Sequence, residues 1–503
     1  MHCAGRIGVI AATLGVLAGC AVSPSRIPVE VVGALSQEQQ HCVEFFRQVD
    51  EAVADAGAGD GMAARISGYP QLRVDRFLAS YAQQPMSDAE FADWLSRLLK
   101  LGAAAHGVEL MNLPADESAR LAQRLRDLPP ALRQAAVGVK ACGNRLNAVI
   151  YGSMEERRKL RAAARVPDEY RTWLRIAGLY WVSRIPFAAG VGRWQQAVQK
   201  AFDVPLPKLP LRGSLVRYEP PSAATPAIAA VSADASAFPL GIPEPRGADL
   251  ERLFAAFAPE FIIDTAGDAD RPGALGWSDG PIPAVDISQP VVYRRISHAR
   301  YQDRVLLQLN YSVWFPERPL ASEWDLLGGH LDGMIWRVTL TPDGEPWVYD
   351  SIHHCGCYHQ FFPTARAVPR PQPATLDETA FIPQMLPAIT AGTRLSLLLE
   401  SGTHYLQRIT TTHAEDAQSV HYAFADDDSL RSRPAAGGAR KSVFRPDGIV
   451  PGSERGERYW FWPMGIPEPG AMRQWGRHAT AFVGRRHFDD PGLLEKYFRM
   501  SQQ

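Results

Sequence analysis

Residues 336–350 read WRVTLTPDGEPWVYD, and this segment predicts a β-hairpin. Proline at the second and glycine at the fourth position of TPDG favour a type I turn, and apolar residues flank the turn on both sides. Pairing Thr341 with Gly344 sets Trp336 opposite Tyr349. Because side chains alternate along a strand, five apolar residues should share one face and point to the core: Trp336, Val338, Leu340, Trp347 and Tyr349.

The same register gathers polar residues at the open end of the hairpin. It sets Asp332 opposite His353 and His330 opposite Cys355, all with the parity of the core face. Buried polar groups need hydrogen-bond partners or a metal ion. The sequence therefore predicts a buried polar cluster at this end, which a one-residue slip in register would turn to the other face.

The residue types in this cluster are those that bind transition metals. Two histidines and a carboxylate suit catalytic iron or zinc, and histidine with thiolate suits zinc or Cu(I). His404 follows a predicted strand at 394–400, and with His330 and Asp332 it resembles the His-x-Asp…His set of cupin-type oxygenases. The expected ion is zinc, iron or copper, with these candidate ligands: His330, Asp332, His353, Cys355, Cys357, His359 and His404.

Two other interpretations of the same residues stay open. Cys355 and Cys357 are separated by Gly356, which permits the bend that a short disulfide needs. Such a bridge would be structural or, if strained, redox-active. Alternatively, the cluster is a packed set of hydrogen-bonded polar side chains with neither a metal nor a disulfide.

Around the hairpin, residues 251–503 have the composition of a β-rich domain. Short runs at 305–315, 347–352 and 394–400 are rich in strand formers and are bounded by turn residues. Eight of the twelve tryptophans lie beyond residue 270 and ten of the thirteen histidines beyond residue 290, so chemistry is expected in this half of the chain. We predict a mostly antiparallel, sandwich-like domain.

The first half of the chain predicts helices instead. Ser36 with Gln39 and Ser87 with Glu90 fit capping boxes, and apolar residues repeat behind the second box at helical spacing. Residues 213–250 are rich in proline, alanine and serine, which is typical of a linker. The expected fold class is therefore α+β, with a helical domain (36–212), a Pro/Ala-rich linker (213–250) and the β-rich domain (251–503).

The N-terminus carries an export sequence. An apolar run of eleven residues at 7–17, too short to span a bilayer, leads into the sequence LAGC at 17–20. This resembles the lipobox of bacterial lipoproteins, in which cleavage precedes the cysteine and the cysteine is acylated. The resemblance implies a signal peptide (1–19), lipidation of Cys20, a tether (20–35) and, because Ala21 rather than aspartate follows, an outer-membrane location facing the periplasm.

Disulfides persist in such an oxidising compartment. Cys42 and Cys142 both lie in helical sequence, and we predict a disulfide between them that closes a loop of about 100 residues.

Two further segments have simpler interpretations. The basic residues Arg477, His478, Arg485, Arg486 and His487 would hold an anion or, as is more usual for such runs, form a solvated face. Residues 176–191 are apolar but contain an arginine and a proline, so they are expected in the protein core.

A short likeness bears on the hairpin cluster. The runs YSVWFP (311–316) and GHLD (329–332) are similar to the strand and metal segment of necrosis-inducing secreted proteins, which are β-sandwiches. The second histidine and the Trp-Glu pair of that family are absent here. The likeness implies a sandwich with a divalent metal at His330 and Asp332, and no toxin activity.

Composition limits the functional classes. The chain has 503 residues, 53 Lys plus Arg and 54 Asp plus Glu, so its net charge of −1 gives no general attraction to nucleic acid. It contains no Walker loop or dinucleotide fingerprint. We therefore expect a lipid-anchored envelope protein that binds a partner or ligand through the β-rich domain. The alternative is a metal- or thiol-dependent periplasmic enzyme that uses the hairpin cluster.

Overall fold

The computed structural model describes residues 35–221, 238–278, 280–387, 389, 393–411 and 418–501. The predicted signal peptide, Cys20, nearly all of the tether and the central part of the predicted linker lie outside the described residues. Within the described part, an N-terminal helical region precedes a region rich in antiparallel strands, which confirms the α+β prediction.

The helical region contains the two capped helices that the sequence predicted, with a short antiparallel hairpin between them. Ser36 and Ser87 each accept a hydrogen bond from the third helical residue, whose side chain caps the serine backbone in return. The elements in chain order are α1 (Gln37–Asp55), β1 (Ala64–Ile66), β2 (Tyr69–Val74), α2 (Arg76–Ala79), α3 (Asp88–Met111), α4 (Ala115–Arg124), α5 (Ala135–Gly152), α6 (Met154–Ala163), α7 (Thr172–Ala177) and α8 (Tyr180–Asp203).

The remaining elements build the β-rich region. They are β3 (Ser214–Glu219), α9 (Gly247–Phe257), β4 (Glu260–Thr265), β5 (Ala274–Trp277), β6 (Pro283–Asp286), β7 (Val291–Tyr301), β8 (Arg304–Arg318), β9 (Gly329–Leu340), β10 (Pro346–His353), β11 (Gln360–Pro363), β12 (Ala367–Pro369), β13 (Ser396–Leu399), β14 (Leu406–Thr410), β15 (Gln418–His421), β16 (Ala423–Asp426), β17 (Arg433–Pro434), β18 (Arg440–Lys441), α10 (Arg458–Phe461), α11 (Leu493–Tyr497) and β19 (Phe498–Met500). Strand β3 thus occupies the start of the segment predicted as linker.

Two sheets pack around the largest core. One has the order β11-β10-β9-β8-β7-β16 and the other the order β14-β13-β4-β3-β15. Most neighbours are antiparallel, while β7–β16, β4–β13 and β3–β15 run parallel. Apolar residues from both sheets, such as Trp336 and Tyr311 from one and Phe261 and Leu397 from the other, form a single buried cluster. The arrangement is the sandwich-like one expected from the sequence.

The central hairpin forms as predicted, but its register differs by two residues. The Gly344 N–H donates to Thr341 O at 2.9 Å, as a type I turn requires, and Gly344 then adopts a φ of 84° that sets Thr341 against Glu345. A second irregularity lies between Pro346 and Val348. Because two single-residue shifts restore the original parity, Tyr349 keeps its predicted core face.

The side chains between the two irregularities point to the opposite face of the sheet. Trp347 therefore leaves the predicted set and packs in a separate cluster with Tyr301 and Phe361. Trp336 lies opposite Ser351, and His353 lies opposite Met334 rather than Asp332. The predicted pairings of Asp332 with His353 and of His330 with Cys355 are wrong as strand partners.

The helical region is fastened internally by the predicted disulfide. Cys42 and Cys142 are bonded and fully buried, and they link α1 to α5 across a sequence separation of 100 residues. The prediction of this pair is confirmed.

Charged pairs join the helical region to the C-terminal segment. Arg431 Nη2 lies 2.6 Å from Asp60 Oδ2, and Arg477 Nη1 lies 3.0 Å from Glu169 Oε1. Arg485 pairs with Asp168 as well. These contacts make the two regions one packed body.

Residues 176–191 are not the core segment that the sequence predicted. Ile176, Leu179, Trp181, Val182 and Ile185 are each more than half exposed. None of the described helices has the length and apolar character needed to cross a bilayer. The apolar composition of residues 176–191 therefore did not identify a core segment, because the rest of the described chain leaves these side chains exposed.

Candidate functional site

A pocket of about 430 Å³ opens beside the end of the hairpin where the polar cluster was predicted. It lies between α8, the segment that follows β10, helix α10 and the loop at 466–486. Its walls are largely aromatic: Phe187, Trp194, Tyr358, Tyr405, Phe461 and Phe482. Its floor is polar and includes Cys355, Cys357, His359, Glu457 and Arg486. Aromatic walls with a few converging polar groups are typical of small-molecule sites.

A tight turn after β10 delivers the two cysteines to this floor. The Gly356 N–H donates to His353 O at 2.8 Å, and the His353 N–H donates to Cys357 O at 3.0 Å. Gly356 has a φ of 87°, and a Cβ there would lie 2.5 Å from Ala479 O. Only glycine fits this position, and its bend places both thiols beside the pocket.

The two thiols are free rather than disulfide-bonded. The Cys357 N–H contacts Cys355 Sγ at 3.4 Å. The hydrogen bond to Cys355, burial and the nearby Glu457 carboxyl raise the pKa of Cys357 well above its ordinary value. At neutral pH Cys357 is a thiol, which weakens it as a nucleophile or metal ligand.

Glu457 supplies the floor with an unusual carboxyl group. It is almost fully buried, and burial raises its pKa to about 7 although three arginines, Arg455, Arg318 and Arg473, act in the other direction. The carboxyl is therefore partly neutral at physiological pH. A neutral carboxyl can donate a hydrogen bond and does not repel an apolar ligand.

His359 has a structural rather than a chemical role. Its Nε2–H donates to Asp350 Oδ2 at 2.8 Å, and its ring stacks on Phe361 with centroids 4.1 Å apart. Burial lowers the pKa of His359 to about 3 against the opposing effect of Asp350. His359 is thus neutral and part of a buried network that also contains Arg337.

A chain of buried charges lies directly behind the aromatic wall. His404 Nδ1–H donates to Asp332 Oδ2 at 2.8 Å, and His404 Nε2 lies 3.5 Å from Asp270 Oδ1. His353 Nδ1 lies 3.4 Å from Asp332 Oδ1. Arg455 Nη2 is 3.5 Å from the same Asp332 oxygen. The His353 ring contacts two pocket residues, Tyr358 and Tyr405, at centroid distances of 5.0 and 5.6 Å.

The pKa shifts of these residues indicate that groups of opposite charge alternate along the buried cluster. Burial would raise the pKa of Asp332, but His353, His404 and Arg455 hold it well below the ordinary value. Burial lowers the pKa of His404, yet Asp270 and Asp332 outweigh it and raise the pKa. Asp270 has its pKa lowered to about 2, since His404 and the Gly402 N–H outweigh its burial. His404 therefore lies between two carboxylates that favour its protonated form, and it stacks on Phe315 with ring centroids 3.9 Å apart.

The backbone around this chain is strained. Leu331, Tyr358 and His404 have φ values of 59°, 63° and 52°, which side-chain-bearing residues rarely adopt. Each such residue costs about 1–3 kcal/mol and persists where the surroundings fix it. Leu331 adjoins Asp332, His404 binds it and Tyr358 contacts His353, so these three residues indicate a wall that is held rigid.

The structure divides the predicted metal ligands among three places. Asp332, His353 and His404 meet in the charge chain, Cys355 and Cys357 line the pocket, and His359 binds Asp350. His330 lies apart, with its Nε2 2.7 Å from Pro283 O. The Nδ1 atoms of His353 and His404 face a carboxylate, so the cluster resembles the third interpretation, a packed polar network.

One compact set of potential metal ligands does occur in the described residues, but in the helical region. Donor atoms of Asp50, His106 and Glu109 lie within 4.8 Å of one another. Arg73 Nη2 lies 3.0 Å from Glu109 Oε1, and Arg65 pairs with both carboxylates. Two guanidinium groups already balance these charges, so the set is a buried ion-pair cluster.

The side chains of the predicted anion site pair with other residues of the protein. Arg477 and Arg485 pair with acidic residues of the helical region, and His487 lies 3.3 Å from Asp168. Arg486 is buried against Thr480 and lies 3.5 Å from Glu378. His478 is buried beside Phe488. These residues do not converge on one open point.

Sequence reasoning did not place Asp270, Arg455, Glu457 or the apolar walls on α8 beside the hairpin cluster. Arg455 and Glu457 are far along the chain from the hairpin, and no local spacing connects them to it. The only local signal was that Arg455 and Glu457 are charged residues in a short segment, 452–457, that also contains two glycines. No family model, curated protein or solved structure matches the chain, so its function has to be argued from this geometry.

Proposed function

We propose that this chain is a lipid-anchored cell-envelope protein that binds an apolar ligand in the pocket beneath α8. The anchoring, through acylated Cys20 at the periplasmic face of the outer membrane, rests on the lipobox-like sequence. The binding role rests on one observation: an aromatic pocket of about 430 Å³ with a small polar floor. That volume falls within the range of small-ligand sites, roughly 300–1,000 Å³.

The surroundings of the pocket favour binding over catalysis. His353 and His404 are engaged with carboxylates, and the pKa of the Cys357 thiol is raised. Behind the wall, the charge chain fixes Tyr358 and Tyr405 through His353 and through Arg318, which donates to the Tyr405 hydroxyl at 3.2 Å. A preformed, rigid wall reduces the entropy lost on binding.

The binding role is tested by filling the pocket. Gly190 lines it, and a Cβ at Gly190 would meet open space, as would one at Gly192, which is on the same helix but outside the pocket. Gly190→Leu should weaken binding of the neutral fluorescent probe N-phenyl-1-naphthylamine at least tenfold, because the added side chain occupies ligand volume. Gly192→Leu, which gains the same helix propensity, should bind as the wild type does.

The outcome is decided by fluorescence titration of the full chain. Equal affinities for the wild type and Gly190→Leu, or no saturable binding to the wild type, would contradict the proposal. The anchor is tested separately by the mass of the N-terminal peptide, which should carry acyl chains on Cys20 and lose them in Cys20→Ala.

Binding should also depend on pH through Glu457. A neutral apolar ligand covers this carboxyl and so favours its protonated form, whose pKa is raised to about 7 by burial. Affinity for the neutral probe should therefore be highest below pH 7 and fall as the pH rises through that value. Glu457→Gln keeps the shape and cannot ionise, so its affinity should stay flat across the same range. An unchanged pH profile in this variant would exclude Glu457 as the titrating group.

A thiol-dependent activity is the second candidate, because Cys355 and Cys357 are free and share the pocket floor. In such a reaction both thiols would form a disulfide, losing two electrons and two protons to an external disulfide that is reduced to two thiols. Incubating the full chain with a small disulfide should then remove both thiols by thiol titration. Retention of both thiols would exclude this activity.

A metal-dependent activity would instead require about one tightly bound zinc, iron or copper per chain.

A further inference from the structure

Exposed apolar side chains lie on α8 and α10, which both contribute residues to the pocket, and on the adjoining α7. Of the eighteen large hydrophobic residues that are exposed in the described chain, seven lie on α7, α8 and α10, and an eighth, Leu179, lies between α7 and α8. We call them the apolar patch: Trp173, Ile176, Leu179, Trp181, Val182, Ile185, Tyr459 and Trp460.

The three helices that carry the apolar patch are packed together. Phe187 of α8 contacts Phe461 of α10 with ring centroids 5.2 Å apart. A Cβ on Gly178, between α7 and α8, would lie 2.4 Å from Pro463, so this link rests directly on the segment after α10. The patch residues therefore lie on one packed group of helices, and two of these helices, α8 and α10, also line the pocket. An apolar patch of this kind marks a binding surface in a soluble region.

The patch contributes little to the protein core. Leu179, which links α7 to α8 with a φ of 48°, is 55% exposed. In the 24 residues of α8, the buried ones are Val198 and Phe202, near its C-terminal end. The first half of α8 thus contributes little to the core.

The charge of the same segment is one-sided. Residues 171–202 contain four arginines and one lysine and no aspartate or glutamate, although the whole chain has a net charge of −1. Arg171 and Arg193 are exposed, whereas Arg175 is buried and Arg184 lies 3.8 Å from Asp377. Aromatic and aliphatic side chains flanked by arginines are typical of helices that lie in the headgroup region of an anionic bilayer.

We propose that the apolar patch inserts into the surface of an anionic phospholipid bilayer and thereby sets the mouth of the pocket against the membrane. The inference extends the proposed function, since a pocket facing the bilayer can exchange apolar ligands with it without passing them through water. The proposed anchor is compatible with this contact. Leu35 follows Cys20 by fifteen positions, and an extended chain of that length reaches about 50 Å.

Bilayer contact is measured by quenching tryptophan fluorescence with brominated phospholipids. The full chain is added to vesicles of phosphatidylethanolamine and phosphatidylglycerol that contain a brominated acyl chain. Trp173, Trp181 and Trp460 should be quenched because they enter the headgroup and acyl boundary, and Trp181→Phe should remove part of the quenching. Without phosphatidylglycerol the quenching should fall, since the arginines lose their partner charge.

A matched pair of variants separates the patch from general surface hydrophobicity. Val182 in the patch is 55% exposed and Val137 on α5 is 50% exposed, so an aspartate is tolerated equally at either site. Val182→Asp should lose at least half of the quenching, and Val137→Asp should keep it. Equal quenching in the two variants, or none in the wild type, would overturn the proposal. A dimer in solution that Val182→Asp converts to a monomer would also overturn it, by assigning the patch to a second copy.

The result is independent of the pocket. Val182 does not line the pocket, so Val182→Asp should bind the naphthylamine probe in vesicle-free solution with unchanged affinity. Quenching without probe binding would retain the membrane contact and reject the ligand role. Probe binding without quenching would do the reverse.

Discussion

Replacing Asp350 with alanine should lower the free energy of unfolding by about 3–5 kcal/mol, the largest effect expected of any single substitution in the chain. Asp350 is fully buried on β10 and accepts from Arg337 Nε at 2.9 Å and from His359 Nε2 at 2.8 Å. Burial raises the pKa of Asp350, but Arg337 and His359 outweigh this and lower it, so the group is ionised. Its removal leaves the Arg337 guanidinium buried without its counter-charge.

Urea denaturation followed by tryptophan fluorescence measures this loss. Asp343→Ala is the control, because Asp343 lies in the turn of the same hairpin and is largely exposed beside Arg366 at 3.4 Å. A surface pair of this kind contributes less than about 1 kcal/mol. The double variant Arg337→Leu with Asp350→Leu should be more stable than Asp350→Ala, since no unpaired guanidinium remains. A loss below 1 kcal/mol in Asp350→Ala would show that Arg337 finds another partner.

Removing the disulfide should have an effect of similar size. Cys42→Ala with Cys142→Ala opens a loop of 100 residues, which corresponds to about 4–5 kcal/mol in the chain-entropy description. Alanine is chosen because both positions are fully buried and a serine would add an unpaired hydroxyl. The loss should appear as a lower midpoint for the helical signal in far-ultraviolet circular dichroism.

The free cysteines provide the matched control for this pair. Cys355→Ala with Cys357→Ala makes the same two chemical changes without opening a covalent loop, so its midpoint should move much less. Wild-type protein held under a strong reductant should reproduce the midpoint of the Cys42/Cys142 variant. Equal midpoints for the two double variants would mean that the disulfide does not constrain the unfolded chain.

Features that depend on neighbouring residues could be predicted from the sequence. The capped helices at Ser36 and Ser87 and the turn at Thr341–Gly344 follow from local hydrogen-bond chemistry. The Cys42–Cys142 disulfide was predicted from the small number of cysteines and from the helical sequence around both residues. The meeting of Asp332 with His353 was also anticipated, because two shifts in register preserved the parity of the strands.

Features that depend on distant contacts could not be predicted. Asp270 reaches His404, and Arg455 reaches Asp332, from distant parts of the β-rich region, and nothing local links them. The apolar residues of α8 have the composition of a core helix, and their exposure is set by how few elements cover them. Trp347 changed face because an irregularity in the strand, which has no clear sequence mark, follows the turn.

The two offsetting irregularities of the hairpin also constrain how this chain can change through evolution. A single inserted or deleted codon between Thr341 and Val348 would leave one irregularity uncompensated, and every side chain from Tyr349 to His353 would exchange faces. Asp350 would then leave Arg337, and His353 would leave the tyrosines of the pocket. Changes of length in this turn are therefore expected to survive in pairs, so related chains should differ there by an even number of residues.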